Sequence, residues 1–343
     1  MKRSFFSGES GVSPDIQTAA VCLRAGGLVA FPTETVYGLG ADAANAEAAR
    51  KIFTAKGRPA NHPLIVHLAR AEDAMDWAAD IPEVAFRLAD AFWPGPLTLV
   101  LKKQTWIPEI ITGGQDTIAL RVPAHPMALS LLQAFAALPR RAAGAGIAAP
   151  SANRFGRVSP TAAAHVREEL GGMVEMVLED TTQAGCHVGI ESTILDLTRL
   201  GTAGAVILRP GGLAASELAE VLGDLPRPPG GMSAPRVPGA LPSHYAPGTP
   251  LRALDRAALG AALDAAGQTN RRCGALLCRD ISGAPGLHVL RVLSAAPEVY
   301  ARALYAALRE LDRMEFAEIL VEMPPDTAEW AAVRDRLFRA AAK

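Results

Sequence analysis

Short apolar runs that stop abruptly at polar or cationic residues recur through the first two thirds of the chain, and they limit its fold more than any other feature. Residues 28–31 run into Pro32-Thr33-Glu34-Thr35-Val36-Tyr37-Gly38-Leu39-Gly40, and residues 118–120 deliver Arg121 before Val122-Pro123. Residues 147–149 deliver Pro150-Ser151-Ala152-Asn153, and residues 206–208 deliver Arg209 before Pro210-Gly211-Gly212. Apolar runs of this length, bounded by proline and glycine, read as buried strands. In open α/β sheets, ligands bind beyond the carboxyl ends of the strands. Hydroxyls, an amide and two arginines at four strand ends are therefore expected to meet at one anion site.

Helical signals fall between the runs. Ser13-Pro14 joins an N-cap to a proline at the first helical position, and Gly26-Gly27 stops that helix. The spacing predicts a helix over 46–56, with Ile52 and Phe53 inward and Gly57 past its end. Further strands are predicted at 64–68, 97–101, 118–122, 174–178, 193–197 and 206–208. A helix is predicted at 126–137, and Ser159-Pro160 is read as capping another that runs toward Leu170. Alternating elements with consecutive strands late in the segment give an α/β class, a twisted mixed open sheet with helices.

From 223 to 250 the periodicity disappears into proline and glycine, so this stretch is read as a semi-rigid linker. It divides a larger domain, 1–222, from a smaller Rossmann-like α/β domain, 251–343. In the smaller one, strands are expected at 274–278, 289–293 and 319–321 and helices at 297–314 and 328–342, with no catalytic pattern. A formal net charge of −1 over 343 residues leaves no global basic field to hold nucleic acid, so an anion site must be local. Cys22, Cys186, Cys273 and Cys278 form no CxxC pair, which predicts reduced thiols and a cytoplasmic setting. Residues 1–10 lack the apolar core of a signal peptide, and no apolar run approaches the roughly 18 residues of a membrane span.

Each chemistry-bearing cluster has a structural reading beside the functional one. Lys56-Gly57-Arg58-Pro59 suits a helix C-terminus, where cations complement the dipole and glycine caps; it equally suits a polyphosphate clamp. His62 and His67 flank a strand without a third ligand. That is weak evidence for metal, and hydrogen bonding to a carboxylate or phosphate suits them better. Gly144-Ala145-Gly146 opens a GxGxxA match, but Pro150 sits where the phosphate-binding helix should begin, so a dinucleotide fingerprint is rejected. Ser151, Asn153 and Ser159 crowd a turn that could bind phosphate. In Gly189-Ile190-Glu191-Ser192-Thr193, Thr193 is read as a strand residue and Ser192 as the site residue.

With these segments in hand, the chain resembles the threonylcarbamoyl-AMP synthases in their long form, a YrdC-like catalytic domain followed by a second domain. The resemblance rests on FPTETVYGLG (31–40), KGRP (56–59), HPLIVH (62–67), WPGPLTLVL (93–101), ALRVP (119–123), PSAN (150–153), GIESTILD (189–196) and LRPG (208–211), collinear over nearly the whole first domain. Pro238-Gly239 and His244-Tyr245-Ala246-Pro247 resemble the segment joining the two domains, although Ala240-Leu241-Pro242-Ser243 departs from it.

The resemblance implies that L-threonine, bicarbonate or CO2, and ATP give threonylcarbamoyl-AMP and pyrophosphate. Partner proteins would then use the product to modify the adenosine beside the anticodon of certain tRNAs. It implies threonine contacts at Thr35, His67, Arg121, Ser151 and Ser192. ATP contacts fall on Arg58, His62, Thr117, the main chain of Ala149, Ser159, Arg209 and Tyr245. Lys56 joins Arg58 as a catalytic cation, and Mg2+ is expected with the nucleotide. Separately from the resemblance, His244 and Tyr245 are expected to fold back over the nucleotide as a lid. The rival reading is a non-catalytic RNA-binding protein with a basic concave surface; near-neutral charge and 5% aromatic content disfavour it. Hydrogenase-maturation carbamoyltransferases carry Cys-rich zinc segments, which four scattered cysteines do not match.

Overall fold

The computed structural model describes residues 14–139, 144–228, 234–280 and 288–342. Ser13, residues 1–10 and residues 229–233 of the expected linker lie outside the described residues. Helix α1 (Pro14–Arg24) leads into β1 (Val29–Phe31), β2 (Gly38–Asp42), α2 (Ala46–Lys56) and β3 (Ile65–His67). Then follow α3 (Ala74–Trp77), β4 (Ala78–Ala79), α4 (Glu83–Phe92), β5 (Leu97–Lys103), α5 (Glu109–Thr112), β6 (Thr117–Arg121), α6 (Pro126–Ala137) and β7 (Ile147–Ala148). The larger body closes with α7 (Ala163–Leu170), β8 (Met176–Val177), β9 (Thr193–Asp196), β10 (Val206–Arg209) and α8 (Ala215–Leu222). The smaller body holds β11 (Leu251–Leu254), α9 (Arg256–Gln268), β12 (Cys273–Leu277), β13 (Val289–Val292), α10 (Pro297–Arg313), β14 (Glu318–Glu322) and α11 (Ala331–Ala341).

The first sheet has ten strands in the order β10-β9-β5-β6-β3-β7-β2-β1-β8, with β4 against β5. It is mixed, as expected: β1/β8, β3/β6 and β5/β9 pair parallel, the rest antiparallel. The second sheet is parallel, in the order β11-β14-β12-β13. Local chemistry explains the ends of α2: the Asn45 side chain accepts from the N–H groups of Glu47 and Ala48, and Gly57 closes the helix at a left-handed φ of 62°.

Some elements differ from the sequence reading. β2 is built from Gly-Leu-Gly-Ala-Asp, a composition poor in strand formers. It forms because Gly40 lets two neighbours close in: a Cβ there would meet Ile147 and Phe31 at 2.9 Å. The GxGxxA segment serves packing too, since a Cβ on Gly146 would strike Val66 at 2.6 Å and the Trp77 ring at 2.9 Å. β11 and α8 are short and escaped the reading; α9 escaped it because alanine on every face blurs the buried Leu259, Leu263 and Ala266 stripe. Ser159 is not a helix cap: α7 starts at Ala163 behind Ala162, and the Ser159 hydroxyl donates instead to Glu191. No helix therefore starts at Ser159 to offer phosphate its N-terminus, contrary to the expectation from the sequence.

One apolar cluster crosses the two bodies, joining Val36, Val158, Ile190 and Tyr245 to Tyr300, Leu304, Tyr305, Leu308 and Leu337. Another, on the sheet face, unites Ile65, Val100, Ala119, Ile194, Val206 and Leu208 under Val237 of the connecting segment. The four cysteines are free. No helix among the described residues is long and apolar enough to cross a membrane.

Candidate active site

The TETVYG turn is made rigid by its own hydroxyl. Thr33 Oγ1 donates to the Val36 carbonyl at 2.6 Å and accepts from the N–H groups of Thr35 and Val36 at 3.2 Å, the short Ser/Thr turn that such residues favour. This turn is stitched to the PSAN segment: Leu39 N–H donates to Pro150, and Ala152 N–H to Tyr37. Lys56, buried at the end of α2, donates from Nζ to the carbonyls of Ser151 and Asn153. Burial, and then Arg58, hold its pKa well below the ordinary lysine value.

His67 and Arg121 stand side by side in register at the ends of β3 and β6. Because β7 runs antiparallel to β3, Ala149 leaves at the Ile65 end of that strand. The cavity therefore lies across the sheet face, with Ile65 in its wall, and not simply beyond the carboxyl ends of the strands as the sequence suggested. Its empty volume is about 520 Å³. It gathers Thr35, Arg58, His67, Arg121, Ala149, Ser151, Ser192, Arg209 and Tyr245 from the expected site residues. Lys56, His62, Thr117 and Ser159 are outside this lining. Lys56 and Ser159 are turned onto other groups of the protein, as above. His62 is half-buried against the Phe155 ring at 5.4 Å. Thr117 starts the strand that Arg121 ends, roughly 13 Å away at strand rise.

The three lining arginines differ in how they are held. Arg121 reaches Thr35 Oγ1 from Nη1 at 3.1 Å and the Gly95 carbonyl from Nε at 3.2 Å, and it pairs with the buried Glu34 carboxylate. Arg209 donates from Nη2 to the Ser192 carbonyl at 2.8 Å and its hydroxyl at 3.2 Å, and from Nη1 to Pro238 at 2.9 Å. Among the described residues Arg58 makes one hydrogen bond, from Nη2 to Pro63 at 2.8 Å, and its buried Nε has no partner. Burial chiefly pushes the Arg58 guanidinium down to about 10.

Sequence reasoning missed Glu34 and Glu191, and missed that the second body reaches the site. Glu191 Oε1 accepts from Ser159 at 2.6 Å, while Oε2 accepts from Tyr305 at 2.9 Å and from Arg336 at 2.8 Å. A carboxylate set between Ile190 and Ser192 at the entry to a strand was the available signal; its partners Tyr305 and Arg336, over a hundred residues away, were not readable.

His67 and His244 are both buried in the cavity wall. Burial, then Arg121, pushes the His67 imidazole down to about 3; burial outweighs Glu191 and pushes His244 down to about 3 as well. In the unfolded chain each titrates near 6.5. The unfolded chain therefore takes up protons, and the folded one does not, as pH falls from about 6.5 toward 3. Stability contributed by the neutral rings is present above 6.5 and lost on acidification. Between pH 6 and 5 the two rings should cost about 2–3 kcal/mol of unfolding free energy, measurable by urea titration at each pH. The slope should shrink in His67→Gln.

Residues 21–211 match the Sua5/YciO/YrdC family, described as "Telomere recombination", and residues 213–342 match the family described as "Threonylcarbamoyl-AMP synthase, C-terminal domain". The chain is 40% identical over 335 residues to a Pyrococcus abyssi protein called threonylcarbamoyl-AMP synthase, covering 95% of this chain and 93% of that one. A Bacillus subtilis protein of the same name is 38% identical over 337 residues, covering 96% and 93%. A crystal structure described as P. abyssi Sua5 complexed with L-threonine superposes with a TM-score of 0.83 at 38% identity, over 95% of this chain and 94% of that one.

Proposed function

Because the chain belongs to the threonylcarbamoyl-AMP synthases, in the long form that pairs a YrdC-like domain with a C-terminal domain, we propose that it works in the cytoplasm. There it condenses L-threonine, bicarbonate or CO2, and ATP into threonylcarbamoyl-AMP and pyrophosphate. The product supplies partner proteins that modify the adenosine beside the anticodon of tRNA. One observation above all supports this reading: three buried guanidiniums, Arg58, Arg121 and Arg209, face one cavity in which Glu191 is the single lining carboxylate among the described residues.

In the proposed reaction the neutral threonine amine attacks CO2 carbon, forming a C–N bond and losing a proton. A carbamate oxygen then attacks the α-phosphorus, and the bond to the β-phosphate oxygen breaks to release pyrophosphate. Every reacting group after the first step is anionic, so catalysis consists of charge neutralisation and in-line positioning. Arg121, held against Thr35, binds the threonine carboxylate, with Ser151 and Ser192 beside it. His67, kept neutral, serves as a hydrogen-bonding wall and not as a cation. Arg58, Arg209 and the Ala149 main chain take the triphosphate, and His244 and Tyr245 cover it. Lys56 and Ser159 act by positioning, while His62 and Thr117 stand where the rest of the nucleotide extends. Magnesium would enter as part of the nucleotide substrate and offset the charge of its phosphates.

Incubating the purified chain with MgATP, threonine and bicarbonate should yield a threonylcarbamoyl adenylate by mass spectrometry, with stoichiometric pyrophosphate. Pyrophosphate release that ignores threonine would sink the assignment. So would steeply salt-dependent RNA binding with no ATP turnover, which is what the RNA-binding reading requires.

A further inference from the structure

We propose that Arg336 and Tyr305 of the C-terminal domain are positioning residues for the reaction, holding Glu191 and Tyr245 in the nucleotide half of the cavity. The inference rests on the function proposed above. Arg336 lies on α11 and is 1% exposed; its Nε donates to Glu191 Oε2 at 2.8 Å and its Nη1 to the Pro210 carbonyl at 2.9 Å. Pro210 follows Arg209 directly. Tyr305 lies on α10 and donates to the same Glu191 oxygen at 2.9 Å.

Both residues also back the second wall. The Arg336 guanidinium carbon sits 5.1 Å from the Tyr245 ring centre, and the Tyr305 ring stacks on Tyr245 at 5.8 Å. Two side chains from the far domain thus engage two cavity residues that come from different segments. Neither residue lines the cavity itself.

Glu191 is the reason the arrangement matters. It is a buried carboxylate beside a site built for polyphosphate, where an uncompensated negative charge would repel the substrate. Arg336 supplies the counter-charge, Arg209 faces it from β10, Ser159 and Tyr305 donate to it, and Tyr245 and His244 approach it from the connecting segment. Burial would raise the Glu191 carboxyl; Arg336 and then Arg209 overcome that and hold it at about 2. In Arg336→Met the carboxylate loses its principal partner, and its protonation should move up into the working pH range.

The test uses the full chain and follows KM for MgATP and kcat between pH 5.5 and 8.5. Arg336→Met should raise KM for MgATP at least tenfold at pH 8, with part of the loss recovered at pH 6, where Glu191 protonates. Arg336→Lys should stay within about threefold of wild type. Glu191→Gln/Arg336→Met, which removes the unpaired charge, should bind MgATP better than Arg336→Met alone and show no pH limb. An unchanged KM in Arg336→Met overturns the proposal, as does a loss that is equal in the double variant and flat with pH. Should Arg336→Met fail to fold, Tyr305→Phe deletes one hydroxyl while keeping the stacked ring. It must still raise KM for MgATP by about twofold to fivefold, and no change overturns the proposal. Failure of the wild-type chain to form the adenylate would instead strike the proposed function.

Discussion

Arg58→Met should cut threonine-dependent pyrophosphate release by about a hundredfold, a loss of about 2.7 kcal/mol of transition-state stabilisation, while leaving the unliganded protein at least as stable as wild type. Arg58 is a buried cation with one carbonyl contact, an unpartnered Nε and no ion pair among the described residues. Keeping a charge there costs desolvation that the Pro63 carbonyl and the Phe155 ring, 5.9 Å away, offset only in part, and an apolar replacement of similar length relieves it. Such a group earns its place when an anion arrives. Thermal unfolding with and without MgATP checks both halves. The variant should melt no lower than wild type when empty and should lose the upward shift that saturating nucleotide gives. A strongly destabilised empty variant with a normal nucleotide shift would show Arg58 to be structural.

Arg121→Ala should behave in the opposite way and lose stability together with activity. Its guanidinium pairs with Glu34, a carboxylate with no exposed surface and one oxygen, Oε2, without a partner. Removing the cation leaves that charge buried and unpaired, which costs about 3–5 kcal/mol. It also leaves the Thr35 hydroxyl, which accepts from Arg121, with the Thr33 hydroxyl at 2.8 Å as its remaining side-chain partner among the described residues. Pyrophosphate release should fall at least tenfold even at temperatures where the variant is folded, with the loss chiefly in KM for threonine. Glu34→Gln/Arg121→Met should regain most of the urea-unfolding free energy and none of the activity. Recovery of both would mean that Arg121 serves the fold alone.

Much of the fold was legible because its signals are local. Asn45 and Gly57 frame α2, Pro126 opens α6, and β6 and β10 end on the very arginines that interrupt their apolar runs. The site was legible for a related reason, since Thr35, Ser151, Ser192, Arg121 and Arg209 all sit next to proline- or glycine-bounded turns. What stayed hidden depends on distance in the chain. Nothing near Lys56 announces that its ammonium is spent on the Ser151 and Asn153 carbonyls. Ser159 resembles a cap in every local respect, yet its hydroxyl is taken by Glu191, thirty-two positions later. The far domain looked inert because Tyr305, Arg309 and Arg336 read as ordinary residues of amphipathic helices. Arg309 nevertheless donates to the Ser159 carbonyl at 3.4 Å.

The apolar cluster that runs through Val36, Val158, Ile190, Tyr245, Leu304 and Leu337 bears on how such a protein can be rebuilt. A chimera that grafts another C-terminal half onto residues 1–222 inherits a mismatched seam and wets Val36, Val158 and Ile190 beside the turns that line the cavity. Either half is therefore free to drift in sequence on its outer faces, while the seam between them must change in matched steps.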